Sequence, residues 1–165
     1  MKNSQIEILI ADDERNLREV LVNELSKRGY NVAEAGNGLE ALDLLEKKEY
    51  DVLLLDLNMP GLGGIEVLKK IKYLDIPTEV IVLTAYATVS TAVEAMKLGA
   101  YDYLTKPFNL EELATVVEKA YEKKMLVNEN VVLKSQMKRQ FETGKIVTKS
   151  KLMLEMLETV KKVAV

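Results

Sequence analysis

The stretch YDVLLLDLNMPGLGG, residues 50–64, predicts a buried β-strand that ends on a carboxylate. Its first part, DVLLLD at residues 51–56, is the most hydrophobic strand-like run of the chain, which is typical of a central strand in a parallel sheet. A glycine-rich loop follows. Because a buried carboxylate is costly unless its charge is compensated, Asp56 needs a neutralising partner in the chain or a place at the mouth of a ligand site.

Other apolar runs of similar length recur along the chain, and segments with helical spacing separate them. Gly29 and Gly99 stand where two of these helices are expected to end. Strict alternation predicts right-handed crossovers and a parallel sheet with helices on both faces. Ligands of such sheets bind beyond the carboxyl ends of the strands. The sequence predicts five helices and five strands, the strands at residues 6–11, 31–35, 51–56, 79–85 and 101–105.

The amino-acid composition excludes several classes of functional site. Of 165 residues, 48% are hydrophobic, enough for a core, and the formal net charge of −3 gives no general case for nucleic-acid binding. The chain has no cysteine and no histidine, so disulfides and the usual proton shuttle are excluded and any metal must be a hard, oxygen-binding ion. We find neither a signal peptide nor an apolar run of membrane-spanning length, so we expect no membrane association and a cytoplasmic location.

Polar side chains follow the predicted central strands at their carboxyl ends. Asp12 and Asp13 follow the first strand, and Asp56 ends the third. Thr84 closes the fourth strand, and Lys106 follows the fifth. Adjacent parallel strands bring these ends together, where crowded carboxylates repel one another and a divalent cation relieves the repulsion. Oxygen-only ligands suit Mg²⁺, and the lysine adds a further positive charge.

Each of these residues also has an ordinary explanation. An acid after a strand is usually a turn former or a helix cap, so Asp12 could simply cap the first helix. Thr84 could be an ordinary strand residue, and Lys106 a solvated lysine. The coincidence of all five residues at corresponding strand ends favours a shared site.

The segments ILIADDE, DVLLLDLNMPG, VIVLTAYA and YDYLTKPF together resemble the receiver domain of two-component response regulators. The resemblance covers about residues 5–124 in one colinear block. It implies an α/β, flavodoxin-like, doubly wound fold, with a five-stranded parallel sheet of order 2-1-3-4-5 and five helices. It also implies a phosphoacceptor regulatory domain rather than an enzyme, with a sensor histidine kinase as partner and Mg²⁺ as cofactor.

The resemblance assigns a role to each matching residue. Asp56 matches the aspartate that accepts a phosphoryl group from a phosphohistidine of the kinase. Asp13 and Asp56 match direct Mg²⁺ ligands, whereas Asp12 matches an acid that acts largely through water. The backbone carbonyl of Asn58 matches the position that completes the protein ligands, and Lys106 matches the lysine that pairs with the phosphoryl oxygens.

Three further matches concern the switch and the backbone. Thr84 and Tyr103 match the hydroxyl and the aromatic that change position together on phosphorylation, and Pro107 matches a cis-proline, which is admissible after any residue. The chemistry suits a chain without histidine, because an aspartate is a competent nucleophile toward an in-line phosphoryl donor. Such a transfer needs positioning and charge neutralisation more than acid–base groups, and the donor histidine must then lie on another molecule.

Several other functions compete with this interpretation. A stand-alone receiver or phosphoryl sink is the main alternative. Phosphatases of the haloacid-dehalogenase type also form a phosphoaspartate, but they need a second acid two residues later, where this chain has Asn58. A nucleotide-binding module has little support, because ETGKIVT around Gly144 lacks P-loop spacing. A degenerate receiver used only as a binding surface conflicts with the intact set of five residues.

The last predicted helix runs past the domain without a clear stop signal. Neither glycine nor proline occurs between Asn109 and Phe141, so we expect an extended helix to about Phe141. The alternative is a helix that frays after Lys124. The extension carries an approximate heptad seam at Leu126, Asn130, Leu133, Met137 and Gln140 or Phe141.

We therefore predict a receiver domain at 1–124, a helical linker with a coiled-coil pattern at 125–143, and the truncated start of a following domain at 144–165. An apolar face that begins at Met153 has no partner in the sequence, which favours a fragment of a longer protein. The seam predicts a homodimer. The tail resembles the receiver–ATPase junction of NtrC-type, sigma-factor-dependent AAA+ transcription activators, which implies contacts with DNA and RNA polymerase through domains that these residues do not contain.

Overall fold

The computed structural model describes residues 6–143, with side chains through Lys138, and over that range strands and helices alternate strictly. This alternation confirms the sequence prediction. The strands are β1 Glu7–Ala11, β2 Asn31–Ala35, β3 Val52–Asp56, β4 Glu79–Thr84 and β5 Asp102–Thr105. The helices are α1 Arg15–Lys27, α2 Gly38–Lys47, α3 Gly64–Leu74, α4 Val89–Lys97 and α5 Leu110–Thr143.

The strands form one parallel sheet in the predicted order β2-β1-β3-β4-β5. Every residue of β3 is buried, as expected for the central strand. The register pairs Ala11 with Leu55 and Asp56 with Leu83. The carboxyl ends of β1, β3 and β4 therefore lie side by side at one edge of the sheet.

Alternate residues of the central strands feed two separate apolar cores. Leu53 and Leu55 of β3 contribute to the core that includes α2 and α3. Val52 and Leu54 contribute to the core that includes α1 and α5. Each fully buried leucine or valine contributes about 1.5–3 kcal/mol through removal of its side chain from water, so helices on both faces hold the sheet rigid beneath its carboxyl edge.

Helix ends follow the sequence signals. Gly29 and Gly99 adopt φ values of 87° and 100°, the left-handed conformation that closes α1 and α4. The side chain of Asn109 caps α5, and its Oδ1 accepts a hydrogen bond from the backbone N–H of Glu111 at 2.8 Å. These local features place the ends of α1 and α4 within two residues of the predicted glycine stops.

Helix α5 continues without interruption to Thr143, beyond the predicted end near Phe141. Its buried part finishes at Lys124, whose Nζ donates to Asp51 Oδ1 at 2.9 Å and to the carbonyl of Tyr50 at 3.1 Å. The first compact unit of the chain ends at Leu126, and a second begins at Val127. The following domain predicted for residues 144–165 lies outside the described residues.

Within residues 6–143, no helix combines the length and the apolar character needed to cross a bilayer.

Candidate phosphoacceptor and metal site

Asp12, Asp56 and Lys106 meet at the carboxyl edge of the sheet. Lys106 Nζ lies 2.5 Å from Asp12 Oδ2 and 3.5 Å from Asp56 Oδ2. Asp12 is 1% exposed and Asp56 5% exposed, so both carboxylates are removed from bulk water. The buried acid at the end of β3 is thus compensated by a lysine from the far side of β4, and it also lies at the rim where a ligand can bind.

Asp13 completes an acidic cluster at this rim. Unlike its two neighbours it is exposed, and one carboxylate oxygen from each of Asp12, Asp13 and Asp56 lies within 4.8 Å of the others. Three carboxylates this close repel one another unless a cation is shared between them. The donor set consists of oxygen alone, which fits a hard divalent ion such as Mg²⁺.

Burial and nearby charges both change the pKa values of Asp56 and Lys106. Burial raises the pKa of the Asp56 carboxyl, and the nearby charge of Asp12 raises it further, whereas Lys106 and the backbone N–H of Asn58 oppose the rise. Burial by itself lowers the pKa of Lys106, but its hydrogen bond to Asp12 and the charges of Asp12 and Asp56 outweigh that effect and raise it. Lys106 is therefore held as a cation beside the carboxylates.

Asp12 is held by contacts on several sides. Its Oδ1 accepts from the backbone N–H of Glu14 at 2.8 Å, and its own N–H donates to the carbonyl of Ala35 at 3.2 Å. The alternative role as a helix cap is close to this geometry, but α1 begins at Arg15, after Glu14. Asp12 thus stabilises the turn into α1 through one oxygen while its other oxygen faces Lys106.

Asn58 and Thr84 form a second group beside Asp56. The backbone N–H of Asn58 donates to Asp56 Oδ1 at 3.3 Å, and its side-chain Nδ2 donates to Thr84 Oγ1 at 3.1 Å. Thr84 is fully buried, and its Oγ1 also accepts from the N–H of Tyr86 at 3.3 Å. The sequence pointed only to the backbone of Asn58, so the side-chain contact to Thr84 is an addition.

Tyr103 connects β5 to the start of α4. Its hydroxyl lies 3.0 Å from Thr91 Oγ1, and Thr91 forms a reciprocal cap with Thr88 at the beginning of the helix. Thr91 was not predicted as a site residue from the sequence; Thr88, a residue type that favours the N-cap position, is the local signal for the start of this helix. The predicted switch aromatic is therefore bonded to the helix that borders the site.

The backbone around the site is closely packed. A Cβ atom on Gly64, the first residue of α3, would lie 2.3 Å from the carbonyl oxygen of Asp56. Only glycine permits this approach, which presses α3 against the end of β3. On the opposite side, the backbone N–H of Lys106 donates to the carbonyl of Thr84 at 2.8 Å, and the peptide bond from Lys106 to Pro107 is cis, as predicted.

Three proteins of known name are similar to the chain. It is 38% identical over 157 residues to the regulatory protein AtoC of Escherichia coli, which covers 95% of this chain and 34% of AtoC. It is 42% identical over 120 residues to the transcriptional regulatory protein ZraR of Klebsiella oxytoca, covering 73% of this chain and 27% of ZraR. It is 41% identical over 112 residues to sporulation initiation phosphotransferase F of Bacillus subtilis, covering 68% of this chain and 90% of that protein.

Solved structures agree with the fold. The response regulator TrrA of Thermotoga maritima, solved in complex with Mg²⁺ and BeF, is 38% identical with a TM-score of 0.64 and covers 70% of this chain and 99% of its own. The beryllofluoride-activated NtrC4 receiver domain dimer is 33% identical with a TM-score of 0.67 and covers 71% of this chain and 97% of its own.

The family match contains nearly all of the sheet and its whole acidic edge. Residues 8–118 match the response regulator receiver domain, about two thirds of the chain. This match contains every residue of the site, from Asp12 to Pro107. The chain spans only about a third of the length of AtoC, but the match to the receiver family covers about two thirds of the chain. The chain belongs to the response regulator receiver domain family.

Proposed function

We propose that this chain accepts a phosphoryl group on Asp56 from a phosphohistidine of a partner sensor kinase, and that the transfer requires Mg²⁺. One observation carries the proposal. A nearly buried carboxylate at the carboxyl end of the central strand lies 3.5 Å from the Lys106 ammonium and within 4.8 Å of two more acids. This is an arrangement for neutralising phosphoryl charge beside a nucleophile.

The chemistry needs few groups beyond these. One oxygen of Asp56 forms a bond to phosphorus as the bond from phosphorus to the donor histidine nitrogen breaks, and the bonding electrons stay with that nitrogen. Lys106 pairs with the phosphoryl oxygens. Asp12, Asp13 and Asp56, with the backbone carbonyl of Asn58, would hold Mg²⁺, which when bound supplies positive charge against the crowded oxygens.

A mass measurement tests the assignment. We expect incubation with acetyl phosphate and Mg²⁺ to add one phosphoryl mass that is lost on hydrolysis of the acyl phosphate. Asp56→Asn keeps the size of the side chain but removes the nucleophile, so the added mass should vanish. Asp13→Ala should abolish transfer by weakening the ion site. A persistent added mass in Asp56→Asn, or undiminished transfer in Asp13→Ala, would contradict the respective role.

We also propose that phosphorylation changes the surface formed by α4 and β5. A phosphoryl group adds charge and strong hydrogen-bond acceptors at Asp56. Thr84 Oγ1 now accepts hydrogen bonds from Asn58 and Tyr86, so its hydroxyl can still donate to that group. If Thr84 moves toward the phosphoryl group, Tyr103 can fill the space that it leaves. Because Tyr103 is bonded to Thr91 of α4, a local change at the site biases the position of the helix.

The proposed output is control of a homodimer. After Lys124, the helix exposes a set of apolar side chains, whose contact with water is unfavourable. Asn130 lies in the proposed seam. Glu129 and Lys134 flank that seam five residues apart, the spacing at which opposite charges meet between two parallel helices. The NtrC4 receiver structure is a dimer. The exposed residues are Met125, Leu126, Val127, Val131, Val132, Leu133 and Met137.

The wider role follows from the relatives. We propose a receiver at residues 1–124 and a linker at 125–143 in a cytoplasmic NtrC-type transcription activator, whose other domains contact DNA and RNA polymerase. The names of AtoC and ZraR, a regulatory and a transcriptional regulatory protein, support this role. A stand-alone receiver or phosphoryl sink remains the second candidate, because the match to phosphotransferase F covers 90% of that protein.

A further inference from the structure

Arg18 of α1 is directed at the backbone of the acidic pair rather than at solvent. Its Nη1 donates to the carbonyl oxygen of Asp12 at 2.7 Å, and its side chain is only 14% exposed. Arg15, on the same helix, is 81% exposed and pairs with Glu19 at the surface. Of these two arginines of α1, only Arg18 contacts Asp12.

The Nε of the Arg18 guanidinium has an ion pair with Glu34 but no hydrogen bond. This nitrogen is buried, and the closest acidic oxygen, Glu34 Oε2, lies 3.5 Å away. Buried polar atoms in proteins are nearly always hydrogen-bonded, so an exception calls for a reason. Of the two contacts, the hydrogen bond to the Asp12 carbonyl is the shorter, at 2.7 Å, and the ion pair with Glu34 is the longer, at 3.5 Å.

The carbonyl of Asp12 belongs to the peptide group that leads directly into Asp13. Asp12 is already held at three other atoms. Its Oδ2 pairs with Lys106, its Oδ1 accepts from the N–H of Glu14, and its own N–H donates to the carbonyl of Ala35. Asp13, by contrast, has an exposed side chain. Fixing the plane of the Asp12–Asp13 peptide therefore limits where the Asp13 carboxylate can lie relative to the other two acids.

We infer that Arg18 is a positioning residue for the acidic cluster, holding the Asp12–Asp13 peptide so that the three carboxylates converge before a cation binds. The inference rests on the proposed Mg²⁺ site. A cluster arranged in advance binds its ion without the free-energy cost of ordering a ligand, and groups that orient metal ligands typically change affinity by about 10- to 100-fold when removed.

The test measures Mg²⁺ binding without phosphorylation. Thermal unfolding is followed over a range of MgCl₂ concentrations, because an ion that binds only the folded state raises Tm as its concentration passes Kd. We expect Arg18→Met to need about tenfold more Mg²⁺ for the same rise in Tm. Arg18→Lys, which keeps a donor and the charge, should be intermediate, and Arg15→Met should match the wild type.

The outcomes separate a positioning role from a structural one. If Arg18→Met lowers Tm without Mg²⁺ but keeps the wild-type dependence on Mg²⁺, the residue is only structural and the inference is wrong. If Arg18→Met does not fold, wild-type dependence in Arg18→Lys overturns the inference instead. If the wild type itself shows no rise in Tm with Mg²⁺, the proposed metal site fails, and that result is distinguishable from the failure of Arg18.

Discussion

The side-chain amide of Asn58 donates a hydrogen bond to Thr84 Oγ1 at 3.1 Å, which links the loop after β3 directly to the end of β4. Thr84 also accepts from the N–H of Tyr86, so two loops set the position of its hydroxyl oxygen. Asp56 lies two residues before Asn58 and is bonded to its backbone. The proposed phosphoacceptor and the proposed switch residue are therefore connected through a single asparagine.

This connection predicts the behaviour of Thr84→Ala. The variant should still be phosphorylated on Asp56, because Thr84 is not a nucleophile, but the change in amide hydrogen exchange across residues 84–108 should be much weaker than in the wild type. Thr105→Ala is the control, since Thr105 pairs with Thr84 in the sheet but is exposed. Equal exchange changes in wild type and Thr84→Ala would refute the switch.

A second prediction concerns the charge on Asp56. Burial raises the pKa of this carboxyl, so its ionised form opposes folding at neutral pH in metal-free buffer. Asp56→Asn should therefore raise Tm by a few degrees in EDTA. As the pH falls through the raised pKa of Asp56, the wild-type carboxyl becomes neutral in the folded state, and the difference in Tm should shrink.

The control for that measurement is Asp43→Asn, which changes an exposed aspartate of α2 paired with Lys47. Surface pairs of this kind contribute at most about 1 kcal/mol, so we expect little change in Tm at any pH. Asp56→Asn that is no more stable than the wild type at neutral pH would show that burial of the charge carries no cost.

A third prediction concerns the close approach of α3 to β3. In Gly64→Ala the new Cβ would meet the Asp56 carbonyl oxygen at 2.3 Å and the Leu57 Cα at 2.7 Å, so the end of β3 must shift. We expect a loss of stability of about 1–3 kcal/mol in denaturant unfolding, together with slower phosphorylation by acetyl phosphate. Gly36→Ala, whose Cβ has no neighbour closer than 3.6 Å, should change the phosphorylation rate little.

Failure of the Gly64→Ala prediction has a clear form. A variant that keeps wild-type stability and a wild-type phosphorylation rate would mean that α3 moves away without disturbing Asp56. The two readouts need not fall together. Loss of stability with an unchanged rate would separate the packing of α3 from the geometry of the acceptor.

The fourth prediction tests the dimer. Leu133→Lys combined with Met137→Lys places like charges in the proposed seam, so the double variant should sediment as a monomer where the wild type forms a dimer of modest affinity. Val132→Lys combined with Ser135→Lys adds the same charge to exposed positions outside the seam and should leave the dimer intact.

Two results would change the dimer proposal in different ways. A wild-type chain that stays monomeric at high micromolar concentration, with and without phosphorylation, removes it. An unchanged dimer in the Leu133 and Met137 double variant would move the interface to the receiver surface. Val89, Val93 and Met96 of α4 are all exposed there.

The example of α4 shows a limit of periodicity. Its apolar residues recur at helical spacing, which correctly predicts a helix, yet Ala95 is its only fully buried residue, while Val89 is 84% exposed. Spacing reports which residues share a face. Whether that face meets the core depends on how the helix packs on β5, which no local pattern contains.

The sequence by itself determined the alternation of strands and helices and the set of acidic, hydroxyl and lysine residues at the edge of the sheet, whereas the strand order came only from the resemblance to the receiver domain. Strand and helix periods are local properties, and the carboxyl ends of parallel strands must share an edge. Only the tertiary structure decided that Asn58 reaches Thr84, that Tyr103 bonds to Thr91, and that Arg18 holds the Asp12 carbonyl. These contacts depend on side-chain directions between elements distant in the chain, which are set by packing rather than by sequence spacing.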